Sequence, residues 1–148
     1  MTEEYSDLEM RDLAQEDVPS LLELLSHLTD APELDPSSMR RIADSRREAG
    51  IVTKVFVHRP TCKVVGTASL LVEPKFTRGG RSVGHIEDVV VDPAYRGKKL
   101  GKALLKSLCD IARSRGCYKV ILDSAESSIE YYEKLDFRVC ERQMRLDL

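Results

Sequence analysis

The stretch Val89-Val90-Val91-Asp92-Pro93-Ala94-Tyr95-Arg96-Gly97-Lys98-Lys99-Leu100-Gly101-Lys102 decides how this 148-residue chain is read. Three β-branched residues in a row close a strand that begins at Val83. Asp92-Pro93 breaks it, because proline has no N–H to give to a ladder. A helix is predicted from about Gly97: Leu100, Ala103, Leu104, Leu108, Ile111 and Ala112 recur at helical spacing, and Gly116 ends it. The apolar run Val120-Ile121-Leu122 then makes another strand. Strand, helix and strand in this order form a crossover, so strands 83–91 and 119–123 run parallel.

The same stretch carries chemistry. The first N–H groups of a helix have no partner inside it, and the helix dipole adds positive potential there. Gly97 and Gly101 remove side chains that would hold an anion off, and Lys98, Lys99 and Lys102 add charge. The arrangement suits a pyrophosphate. It is neither a P-loop, since Gly-Lys-Ser/Thr is missing, nor the Gly-x-Gly-x-x-Gly dinucleotide fingerprint. From Arg96 to Lys119 eight basic residues face one acid, Asp110, a pattern that suits an anionic ligand and also a solvated helix face.

Outward from this core, Tyr5 to Leu13 reads as a weak strand, and Val18, Leu21, Leu22, Leu25 and Leu28 as a helix with Asp17 at its N-cap. Asp35-Pro36 opens a second helix that stops near Gly50. Residues 51–58 and 63–73 form a hairpin around the turn 59–62, and a basic loop with Lys75, Arg78 and Arg81 leads to Val83. Ser127 or Ser128 caps a short helix to Leu135, and 137–146 reads as a last strand. No repeat or linker divides the chain, so residues 1–148 are expected to form one domain, an α/β (α+β) mixed sheet flanked by helices.

Composition narrows the function. A net charge of -2 argues against a basic nucleic-acid binder, and aromatic residues at 5% leave little for a base-stacking face. No apolar run nears the roughly 20 residues of a membrane span. The acidic N-terminus has no hydrophobic targeting core, which points to a cytoplasmic protein. Cys62, Cys109, Cys117 and Cys140 form no Cys-x-x-Cys pair and the three histidines stand alone, so no metal site is expected. Cys109, Cys117 and Cys140 read as small apolar fillers in helix or strand. Glu87 and Asp88 are adjacent acids in an apolar strand. Strand neighbours point to opposite faces, so one of them should be buried or line a cleft, in a salt bridge or a site.

Arg96-Gly97-Lys98-Lys99-Leu100-Gly101 resembles the Arg/Gln-x-x-Gly-x-Gly/Ala signature of the GNAT acetyltransferases, with Lys99 where the pattern has its first glycine. Gly84-His85-Ile86-Glu87-Asp88-Val89-Val90-Val91, Cys117-Tyr118-Lys119-Val120-Ile121-Leu122-Asp123 and Tyr131-Tyr132-Glu133-Lys134 resemble, in order and spacing, the eukaryotic glucosamine-6-phosphate N-acetyltransferases of that superfamily. The resemblance implies a mostly antiparallel sheet whose central parallel pair splays, and acetyl transfer from acetyl-CoA to glucosamine 6-phosphate for UDP-N-acetylglucosamine synthesis. It also implies a homodimer and a direct attack with no acyl-enzyme.

By the same resemblance, Val89, Val90, Val91, Arg96, Gly97, Lys98, Lys99, Leu100, Gly101, Lys102, Ser128 and Tyr132 hold acetyl-CoA, Ser128 standing where asparagine is common. The backbone N–H of Val89 is the oxyanion donor, Asp123 orients the amine, and Tyr132 stabilises or protonates the departing thiolate. Glu87 and Asp88 bind sugar hydroxyls or the amine, and Thr29 the sugar. Lys75, Arg78, Tyr118, Lys119 and Arg145 are the candidates for the sugar phosphate, the last three across a dimer interface. Two rivals stay open: an acetyltransferase for another amine, and a non-enzymatic nucleic-acid module using the basic 96–119 stretch.

Overall fold

A computed structural model describes residues 6–148. Tyr5, expected to open the first strand, lies outside the described residues. A five-stranded sheet of order β1-β2-β3-β4-β5 is formed by β1 (Leu8–Asp12), β2 (Val52–His58), β3 (Lys63–Pro74), β4 (Ser82–Val91) and β5 (Cys117–Ile121). The first four pair antiparallel and β5 pairs parallel to β4, as the crossover requires.

The crossover helix α3 (Leu100–Ser114) lies on one face. Its Leu100, Leu104, Leu105, Leu108 and Ala112 pack with Phe56, Val65, Ala68, Leu70 and Ile86 of the sheet. On the other face α1 (Val18–Leu25) sets Leu24 against Val55, Val57, Val64 and Val90. Helix α2 (Pro36–Glu48) starts as expected, the Asp35 carboxylate accepting from the Ser38 N–H at 3.0 Å, yet it buries no residue. Among the described residues no helix is long and apolar enough to cross a membrane.

Six local expectations are corrected. Helix α3 begins at Leu100 rather than Gly97, because Gly97 (φ +81°) and Lys99 (φ +60°) take left-handed backbone that a helix cannot contain. Helix α1 stops at Leu25, so Leu28 is exposed. Asp17 does not cap it through its side chain. The Asp17 carboxylate instead accepts from Arg11 at 2.6 and 2.9 Å and from the Ala14 N–H at 2.8 Å, which holds it below the usual carboxylate range. Residues 137–148 form no strand: their alternate apolar groups Val139, Met144 and Leu146 are exposed, and a strand without a partner leaves its ladder unpaired. The short helix α4 (Ile129–Glu133) follows Ser128, whose side chain makes no cap bond. Cys140 lies exposed in this tail rather than filling a core, while burial keeps the thiols of Cys109 and Cys117 protonated.

Candidate active site

Strand β4 carries a bulge. Glu87 stands opposite Ser69 and Val90 opposite Thr67, so Asp88 and Val89 share the single partner Ala68. Asp88 absorbs the extra residue at φ +53°, a left-handed conformation uncommon for a non-glycine residue. The insertion flips the parity of the strand. Ile86 packs under α3, whereas Val90, four residues on, packs under α1. Both Glu87 and Asp88 are exposed in consequence, and the alternation expected of neighbouring strand residues does not hold here.

The parallel pairing of β4 with β5 stops at His85 opposite Ile121. Beyond that pair β5 has ended, and Glu87 to Val91 have β3 on one side but no strand of this sheet on the other. This is the splay that the resemblance implies. Its mouth is acidic: Asp123 follows β5, and burial together with the Asp123 and Asp88 charges pushes Glu87 above the ordinary carboxylate value, with His85 pulling the other way. The Asp123 carboxylate also accepts from Gln143 Nε2 at 3.1 Å, which brings the C-terminal tail to the site.

The basic loop lies on the α3 side. Asp92 N–H is bonded to Val65 O at 2.9 Å, and Ala103 N–H closes the first helical turn onto Lys99 O at 3.1 Å. The N–H groups of Leu100, Gly101 and Lys102 precede that bond, and so have no partner within the helix. Leu100 is buried by its side chain while Lys102 is exposed. Lys99 adopts the left-handed turn that the missing glycine would favour, so the loop keeps its path despite the substitution. Arg96 and Gly97 are exposed, and the Lys98 ammonium sits 5.7 Å from the centre of the Tyr95 ring. A Cβ at Gly101 would run into the Tyr131 hydroxyl, so glycine here lets Tyr131 of α4 lie close against the start of α3. The cations and the unpaired N–H groups of the helix start together fit a pyrophosphate.

Tyr132 is half-buried on α4. Its ring meets Tyr131 edge-on at 5.2 Å and Phe137 at 5.9 Å and packs against the α3 core. Burial, then the neighbouring Tyr131, pushes its phenol above the usual value of 10.0, so it stays protonated at neutral pH. The half-buried Ser128 precedes it.

On the face away from α3 an open groove of about 410 Å³ is lined by Lys75, Val83, His85, Tyr118, Lys119 and Ile121. Arg78, Arg81 and Lys119 surround the Tyr118 ring at 5.1, 5.9 and 5.4 Å from its centre. The structure therefore brings together Lys75, Arg78, Tyr118 and Lys119 in one basic region, and Glu87, Asp88 and Asp123 in one acidic region. It does not bring in Thr29, exposed after α1, or Arg145, which pairs with Asp147 in the tail. Sequence reading passed over His85, Glu73 and Gln143. His85 offered a signal: it lies two residues before Glu87, on the same face of β4.

Comparison with known proteins follows this geometry. Residues 10–137 match the family described as acetyltransferase (GNAT). A glucosamine 6-phosphate N-acetyltransferase of Trypanosoma brucei brucei is 67% identical over 142 residues, 96% of this chain and 97% of that one. The crystal structure of an acetyltransferase from Trypanosoma brucei superposes with a TM-score of 0.93 at 67% identity, covering 96% of this chain and 100% of its own. The crystal structure of glucosamine-6-phosphate N-acetyltransferase from Arabidopsis thaliana gives 0.91 at 36% identity, over 95% and 97% of the two chains.

Proposed function

The chain belongs to the acetyltransferase (GNAT) family, and from that premise we propose that it transfers the acetyl group of acetyl-CoA to the amine of glucosamine 6-phosphate. The products are N-acetylglucosamine 6-phosphate and CoA, for UDP-N-acetylglucosamine synthesis. The observation that carries the reading is the end of β4–β5 pairing at His85–Ile121. It opens a gap whose mouth is acidic at Glu87, Asp88 and Asp123 and whose far side is the basic start of α3. An amine suits the first and a pyrophosphate the second.

Acetyl-CoA supplies the activated acetyl group. Arg96, Gly97, Lys98, Lys99, Leu100, Gly101 and Lys102 would hold its pyrophosphate, and the unpaired edge at Val89, Val90 and Val91 its extended arm, with Ser128 nearby. The Val89 N–H serves as oxyanion donor on that edge. Glu87, Asp88 and Asp123 hold the sugar amine as it loses its proton, and partial desolvation first, then the Asp123 and Asp88 charges, make Glu87 a better base than an ordinary carboxylate. The Tyr132 phenol, protonated at neutral pH, donates to the leaving sulfur. The amine nitrogen forms the new bond to carbon as the carbon–sulfur bond breaks, both substrates being bound at once. Lys75, Arg78, Tyr118 and Lys119 take the sugar phosphate, and four unpaired cysteines suit a reducing cytoplasmic compartment.

A homodimer completes the site in this proposal. The exposed apolar residues Leu71 and Ile121 of the uncovered sheet face, with Val139, Met144 and Leu146 of the tail, are surface that a second copy would bury. Thr29 and Arg145 would then reach the sugar and its phosphate from their open positions.

Thiol release in the presence of acetyl-CoA tests the substrate. Glucosamine 6-phosphate should be used far more efficiently than glucosamine or spermidine, and equal use of all three would remove the substrate assignment. Sedimentation at assay concentration should give twice the chain mass; an active monomer would remove the dimer.

A further inference from the structure

The groove beside β4 contains a side-chain chain, and the reaction described above uses only its last member, Lys75. His85 Nε2 lies 2.9 Å from Glu73 Oε2, and the other oxygen of the same carboxylate binds the Lys75 ammonium. The link is a consequence of register. His85 stands opposite Leu71 and Glu73 opposite Val83, so His85 and Glu73 are diagonal neighbours across β3 and β4 on one face. His85 is the most protected of the three, its side chain 25% exposed against 41% for Glu73 and 40% for Lys75. It sits between apolar neighbours in the groove, Val83 before it on β4 and Ile121 beside it on β5. The imidazole is therefore the fixed end of the chain and the lysine the free end.

We propose that His85 is a positioning residue for the sugar phosphate: through Glu73 it holds the Lys75 ammonium at the wall of the groove, opposite Lys119. A lysine side chain has four rotatable bonds and loses much freedom when a ligand fixes it. Glu73 fixes it before the ligand arrives, which lowers that cost at the moment of binding. Glu73 would itself swing between rotamers if it held only Lys75, and the His85 bond to its second oxygen stops this. The arrangement has a cost, since the Glu73 carboxylate partly neutralises Lys75. Arg78, Arg81 and Lys119 surround the ring of Tyr118, which lines the groove, and have no ion pair among the described residues, so they keep its potential positive. Lys75 thus contributes direction more than charge. The inference rests on the glucosamine 6-phosphate reading and adds to it which residues make the groove specific for the phosphorylated sugar.

Because the bond is made through Nε2, glutamine and asparagine at this position are distinguishable. The glutamine amide reaches the place of Nε2, whereas the shorter asparagine amide reaches only the place of Nδ1. The experiment compares wild type, His85→Gln, His85→Asn and Glu73→Gln by thiol release with glucosamine 6-phosphate and with glucosamine, alongside acetyl-CoA affinity by calorimetry. His85→Asn and Glu73→Gln are expected to raise the KM for glucosamine 6-phosphate about five- to tenfold, the loss of one partly exposed hydrogen bond to a charged group. They should leave acetyl-CoA affinity within about twofold and the use of glucosamine unaltered, and His85→Gln should restore most of the KM. If wild type prefers the phosphorylated sugar but His85→Asn and His85→Gln share its KM, the positioning role is overturned. A rise in KM that is equal for glucosamine, or a matching loss of acetyl-CoA affinity, overturns it too, because it would report a general disturbance of β4. Wild type with no preference for the phosphate would instead overturn the substrate reading itself.

Discussion

Helices α3 and α2 meet opposite faces of one sheet and are held there by opposite means. Helix α3 buries Leu100, Gly101, Leu104, Leu105, Leu108 and Ala112. Helix α2 buries nothing; its link to the sheet is Arg46, whose Nη2 donates to Thr53 Oγ1 at 3.1 Å and to Ser69 Oγ at 2.9 Å, the two hydroxyls themselves 2.9 Å apart. The difference matches the chemistry on each side. The side we propose for acetyl-CoA would have to present backbone N–H groups in fixed directions, and a packed core supplies that rigidity. The side we propose for the sugar is built from charged groups and an open groove, where solvation competes with every contact and a ligand or a second copy has surface left to cover.

Four substitutions test how deep that contrast runs. Leu104, fully buried between α3 and the sheet, should be the most sensitive position: Leu104→Ala is expected to cost about 2–5 kcal/mol in urea unfolding, from lost burial and the cavity left behind. A loss no larger than that of an α2 variant would break the comparison. Next, Asp17→Asn removes a buried carboxylate from the half-exposed Arg11 and from the Ala14 N–H, at roughly 1–3 kcal/mol near neutral pH. Its folded pKa lies below 3.8, so the stabilisation is present above that value and is lost as pH falls through the folded pKa. Wild type and variant should therefore converge in stability toward acid, and a gap that persists there would mean the pair acts by packing.

Arg46→Ala should cost less, about 1 kcal/mol, and should appear first as faster amide hydrogen exchange in 36–48 with α3 unaltered. Equal exchange in both helices would show that α2 is held by something other than Arg46. The smallest effect is a gain. Glu87 has a folded pKa raised above 4.5 by burial and by Asp123 and Asp88, so its ionisation opposes folding at neutral pH. Glu87→Gln should raise Tm slightly at pH 7 and lose that advantage near pH 4, while lowering turnover. A drop in Tm would mean that Glu87 is held by partners in the folded protein.

The α3 side was legible because its signals are local. The spacing of Leu100, Leu104 and Leu108 marks the buried stripe of α3 whatever lies beneath it, and Asp35-Pro36 marks the start of α2 by its own cap. The site on the sugar side was legible only in part. Lys75, Arg78, Tyr118 and Lys119 stand out as basic and aromatic residues, but the bond from His85 to Glu73 depends on which residues of β3 and β4 stand opposite each other. The bulge was hidden because Val89-Val90-Val91 suits either face and so masks a change of parity. The tail 137–148 alternates like a strand, yet alternation states a preference for pairing and does not provide a partner.

The sequence by itself determined the order of elements from β1 to α4, the parallel crossover from β4 to β5, the break between β4 and α3 and the family of the enzyme. Each is written in a short span, where a few neighbouring residues set the backbone's choices. Only the tertiary structure decided where β4 and β5 part, that Asp88 takes up the extra residue, that Glu87 is crowded by Asp123, and that His85 reaches Lys75 through Glu73. These depend on register between distant strands. A slip of one residue changes every facing pair while leaving the local pattern of each strand intact.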